Sequence, residues 1–73
     1  MEGGNMKERS FAKLRGKMSE TGYSQERLAE AIGIAPTSLN LKLAGKREFT
    51  RIEIEMIFRL LKLENVQDYF FNQ

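Results

Sequence analysis

Histidine and cysteine are both absent from the 73 residues, which removes the commonest general base, the commonest metal ligand, thiolate nucleophiles and disulfides at once. The carboxylates Glu53, Glu55, Glu64 and Asp68 form no cluster with a nucleophile, so an enzyme is not expected and neither a metal nor a cofactor is implied. The chemistry that remains is concentrated between residues 37 and 42, where Thr37, Ser38, Asn40 and Lys42 surround Leu41. These side chains can donate, accept or carry charge. They suit reversible recognition, not bond making.

What must position them is the stretch Gln25 to Gly45, QERLAEAIGIAPTSLNLKLAG. Leu28, Ala29 and Ile32 share one helical face, and Ala29 is small where a neighbouring backbone would approach. Gly33 ends that helix in a tight turn, because a residue with a Cβ would be strained there by ~1 to 2 kcal/mol. Ile34 follows as an apolar plug, and Ala35-Pro36 opens a second helix at the position where proline's missing N–H has no intrahelical partner. Leu39 and Leu43, four apart, give that helix its buried face and leave Thr37, Ser38, Asn40, Leu41 and Lys42 to point elsewhere. Two short helices crossing closely over a glycine turn are the pattern of a helix-turn-helix, at about residues 24–44.

The remaining sequence supplies a bundle around this pair. Residues 1–6, with two adjacent glycines and an internal Met6, read as a flexible leader, and residues 7–73 as one domain. A first helix is predicted from Lys7 or Ser10 to Thr21, with Phe11, Leu14 and Met18 on one face, Gly22 closing it, and Gly16 allowing close packing of another helix. Ser24 caps the next helix, with Tyr23 stapled to Leu28; Thr50 and Glu53 make a capping box, with Phe49 stapled to Ile54. The helix from Arg51 to about Leu63 carries a core stripe of Ile54, Ile57, Phe58 and Leu61. A second apolar stripe holds Ile52, Met56, Leu60 and Leu63, while Arg51, Glu55, Arg59, Lys62 and an isolated Glu53 face water. A short last helix capped by Asn65 brings in Val66, Tyr69 and Phe70. No strand is expected, so the fold class is all-α, a compact five-helix bundle.

Hydrophobic residues make up 41% of the chain, enough for a modest core in one small domain. A net charge of +2 is mild for a nucleic-acid binder, so a basic face has to be argued from position. No run approaches the ~18 apolar residues that span a bilayer, and the start MEGGNMKER lacks the apolar core of a signal peptide. The expectation is a soluble, cytoplasmic protein.

From about Phe11 to Phe71 the chain resembles the lambda-type phage repressor and Cro family of helix-turn-helix proteins. Leu28, Ala29, Ile32, Gly33, Ile34 and Leu39 stand in its apolar or small positions, and SLNLKLAGKREFT is similar to a group of small phage-encoded repressor-like proteins. The last apolar slot falls on Lys42, with the apolar residue displaced to Leu43, which implies a slight rotation of the second helix. The resemblance implies a lambda-repressor-like bundle whose second motif helix lies in the major groove of double-stranded DNA. It carries base reading to Pro36, Thr37 and Leu41. Pro36 offers apolar contact or helix placement, Thr37 a hydrogen bond or a methyl, and Leu41 apolar contact with a thymine methyl. Asn40 and Lys42 are candidates for a base edge or a phosphate. Gln25 matches a family glutamine on the DNA backbone, Ser38 can donate to a phosphate, and Lys46 and Arg47 lie on a loop beside the same groove, with Lys13, Arg15 and Lys17 as weaker candidates.

The implied function is a small Cro-like transcriptional regulator, a repressor acting by occupancy of a palindromic operator and without a small-molecule ligand. The second stripe, Ile52, Met56, Leu60 and Leu63, is a candidate homodimer patch, unless the first and last helices cover it. Two rivals use the same bundle: an antitoxin-like protein with a partner patch at Met56 and Leu60, and an interaction module without DNA binding, which Pro36 and Leu41 permit. Thr37, Ser38 and Asn40 have the bland alternative of an ordinary solvated helix face. Tyr69, Phe70 and Phe71 fit a core better than a base-stacking platform.

Overall fold

Among the described residues five helices form, in the order α1 (Ala12–Thr21), α2 (Gln25–Ile32), α3 (Pro36–Leu43), α4 (Arg51–Leu60) and α5 (Gln67–Phe71). The computed structural model describes residues 11–71, among which there is no strand, and the protein is an all-α bundle. The leader expected at residues 1–6, the alternative helix starts at Lys7 and Ser10, and the side chain of Phe71 lie outside the described residues.

The caps act where the sequence places them. Ser24 Oγ accepts the Arg27 N–H at 3.1 Å and starts α2. At the start of α4 the Thr50 hydroxyl accepts the Glu53 N–H at 3.2 Å while Glu53 Oε1 accepts the Thr50 N–H at 2.9 Å, a complete capping box. Asn65 Oδ1 accepts the Asp68 N–H at 2.9 Å and opens the last helix, whose turns are of the wider π type. Gly33 takes φ 77°, and the N–H groups of Gly33 and Ile34 close α2 onto the carbonyls of Glu30 and Ala29. The chain thereby reverses within Gly33, Ile34 and Ala35, and Pro36 opens α3.

Two local expectations change. Helix α4 stops at Leu60 because Lys62 adopts φ 54°, and the Leu63 N–H folds back to the Phe58 carbonyl at 3.0 Å. Gly16 does not mark a close helix crossing: it is exposed, and a Cβ built there would meet nothing within 4 Å.

The core joins Leu14 and Met18 of α1, Leu28, Ala29 and Ile32 of α2, Leu39 and Leu43 of α3, and Ile57, Leu61 and Leu63 from α4 and its end. A fully buried leucine or isoleucine of this set contributes about 1.5 to 3 kcal/mol relative to exposure. Helix α2 packs most closely on α3 and also on α4, while α1 packs on α5. Three phenylalanines join the residue before α1 and the last helix to the α3–α4 loop. Phe49 meets Phe11 edge-on at 5.5 Å and Phe70 at 5.2 Å between ring centroids, so the ring expected to staple Ile54 belongs to an aromatic cluster. Phe70 is buried, as a core role requires.

Candidate nucleic-acid interface

Helix α3 is anchored by Leu39, Lys42 and Leu43, all buried. At 100° per residue, the side opposite this stripe is centred on Thr37 and Leu41, with Asn40 beside them. Thr37, Asn40 and Leu41 are exposed, as is Pro36 in the first turn; Ser38 is half-buried at the margin. The expected outward set is therefore together on one face, with a single exception.

That exception is Lys42. Expected to reach a base or a phosphate, it is only 8% exposed, and its Nζ donates to both oxygens of Glu53, at 2.6 and 2.7 Å. Glu53, expected to face water, is equally buried at 8%. Burial by itself raises the Glu53 carboxyl, but the Lys42 hydrogen bonds, the Thr50 N–H and the Lys42 charge outweigh it and hold the group below its ordinary value. The physical reason is mutual: neither charge tolerates burial alone, and each is where the other can neutralise it. This pair also corrects the expected rotation of α3. Lys42 occupies the inward slot itself, its stem packed and its charge met from α4, while Leu43 is buried beside it.

With Lys42 withdrawn, α3 presents no charge outward, because it contains no other ionisable residue. Cations for a polyanion come from its surroundings. Lys46 and Arg47 are exposed immediately after Gly45, and no ion pair among the described residues engages either of them. Gln25, half-buried in the first turn of α2, accepts a long hydrogen bond from the Arg15 guanidinium at 3.4 Å, which ties α1 to the α2 N-terminus. Lys13 lies 4.0 Å from Asp68 and over the Tyr69 ring, and Lys17 pairs with Glu20 at 3.3 Å, so both are engaged within the fold.

The second apolar stripe of α4 dissolves as a surface. Leu63 is buried, Met56 and Leu60 are half-buried, and Ile52 alone stays open, at 68% exposure. Leu63 leaves the proposed dimer patch for a simple reason: the helix ends before it and the chain turns it into the core.

A family model described as "Protein of unknown function (DUF739)" matches residues 9–73. The chain belongs to this family. No curated protein matches it. The DUF739 description names no activity, so the functional reading rests on the geometry of α2, α3 and their flanks. In this DUF739 chain no group of residues suited to holding a metal exists among the described residues, and no helix there is long and apolar enough to cross a membrane. The feature that the sequence reading missed is the Lys42–Glu53 pair. Its signal was nonetheless visible, as a lysine in an apolar slot and an isolated glutamate on an apolar helix face.

Proposed function

We propose that the chain binds double-stranded DNA sequence-specifically through α2 and α3, as a small Cro-like transcriptional regulator that represses by occupying a promoter. The observation that carries this is the outward face of α3. Thr37, Asn40 and Leu41 project together from a helix packed on α2, with Pro36 at its open end and exposed Lys46 and Arg47 following it. An α-helix fits the major groove, where base edges display distinguishable donors, acceptors and methyls, and the flanking cations are placed to meet phosphates. Selection of bound sequences from a random duplex pool tests specificity, and a salt titration tests the phosphate contacts. For ~4 to 6 phosphates neutralised, log K should fall with log salt at about −0.9 per contact. No enriched sequence, or affinity flat with salt, would sink the proposal.

Self-association is the second part of the reading, favoured by the exposure of Ile52. A dimer would place two α3 helices on half-sites ~34 Å apart, and the selected sequences would then be palindromic. Sedimentation with and without the selected duplex is decisive, since one copy per duplex would exclude it. The antitoxin-like alternative would place its partner on Met56 and Leu60, which are half-buried.

A further inference from the structure

We infer that α3 reads the 5-methyl groups of pyrimidines, thymine and 5-methylcytosine alike, and that Leu41 is the residue that discriminates a methylated position from an unmethylated one. This rests on the DNA-binding reading above and names what that site selects.

Three observations converge. Leu41 is one of only two large apolar side chains left exposed among the described residues, at 36%, and it stands near the centre of the outward face of α3. A leucine there gains nothing from water and has no hydrogen-bonding atom, so the complementary surface on a base pair is apolar. In the major groove that surface is the methyl on pyrimidine C5. One helical turn earlier, Thr37 is exposed on the same line and brings a second methyl beside its hydroxyl. Finally, Lys42 is locked on Glu53 with both carboxylate oxygens engaged, so the one cation of α3 cannot reach guanine O6 and N7 from this helix. Bidentate guanine reading by α3 is thereby removed, while the apolar contact and the Thr37 and Asn40 hydrogen bonds remain. Affinity and selectivity then separate in space. Lys46 and Arg47 supply the charge, and an uncharged helix face supplies the choice.

The base beneath Leu41 is recognised by its methyl, so the identity of the ring behind it matters less. Replacing thymine by uracil removes only that methyl, and methylating cytosine adds only that methyl. Burying one such group is worth about a fourfold change in affinity.

The test uses the full chain and the duplex that it selects from a random pool, with each thymine in turn replaced by deoxyuridine. At the position that responds, a 5-methylcytosine·guanine pair is compared with an unmethylated cytosine·guanine pair. The expected result is a loss of about fourfold on thymine-to-uracil replacement and a gain of similar size on cytosine methylation at the same position. Leu41→Ala should bind with both differences reduced to less than about 1.5-fold, its fold checked by circular dichroism. If wild type selects a sequence but no uracil replacement changes its affinity, methyl reading is overturned and DNA binding stands. If uracil matters equally to wild type and to Leu41→Ala, the assignment to Leu41 is overturned. If no sequence is enriched at all, the parent reading falls and takes this one with it.

Discussion

Removing one member of the Lys42–Glu53 pair should cost this domain a large part of its stability, and removing both should restore most of it. The ammonium is held by two carboxylate oxygens at 2.6 and 2.7 Å, with the side chains 10% and 11% exposed. Stripping one partner from a buried pair typically costs about 3 to 5 kcal/mol, because the other charge is left desolvated. Here a little solvent reaches both tips, and Glu53 keeps the Thr50 N–H, so Lys42→Met is expected to cost about 2 to 4 kcal/mol. A chain of 73 residues has only about 4 to 11 kcal/mol in total, so the loss would run from about a fifth of it to nearly all of it. Lys42→Met with Glu53→Met leaves no orphan charge and retains two apolar stems. It should fall only about 1 kcal/mol short of wild type, the deficit being the carboxylate half of the capping box. Urea unfolding followed by far-ultraviolet circular dichroism on all four proteins gives the cycle, with unchanged m-values as the control. A coupling energy below about 0.5 kcal/mol would refute the reasoning and make the pair an ordinary surface contact.

The same carboxylate makes a pH prediction. Its folded value is lowered, so its contribution is fully present above the ordinary carboxylate value of about 4.3 and disappears as pH falls through the lower folded value. The stability gap between wild type and Glu53→Gln should therefore be wide at neutral pH and close below about pH 4, and a gap constant with pH would count against it. Gly33→Ala should destabilise by about 1 to 2 kcal/mol, since its φ of 77° and not any neighbour penalises a Cβ. Gly16→Ala, inside α1 with free space around it, should stabilise by roughly 0.5 to 1 kcal/mol, both glycine variants being read by the same urea unfolding. Lys62→Gly should also stabilise by about 0.5 to 1 kcal/mol, because Lys62 ends α4 at φ 54° where glycine is unstrained. Lys46→Ala and Arg47→Ala should each flatten the salt dependence of DNA binding by about 0.9 in slope, leaving the preferred sequence unchanged.

What the amino-acid order determined alone is the set of local devices. Ser24, Thr50 with Glu53, Asn65, Gly33 and Pro36 act through bonds to residues three or four away, or through their own backbone, so their effect is legible in a linear string. The same holds for Leu28, Ala29 and Ile32 on α2 and for Leu39 and Leu43 on α3, whose spacing already defines one face of each helix. Periodicity marked Ile52, Met56, Leu60 and Leu63 as one stripe equally well, yet their exposures differ because coverage depends on which helices arrive from elsewhere. Lys42 shows the limit most plainly. Eleven residues separate it from Glu53, and whether a lysine in an apolar slot turns outward or inward depends on a counter-charge brought by another helix. Tertiary structure decided that, because the cost of desolvating a charge is offset only when its partner is already there. The consequence reaches the candidate site: the composition of α3 names a cation, and the fold takes that cation off its outer face.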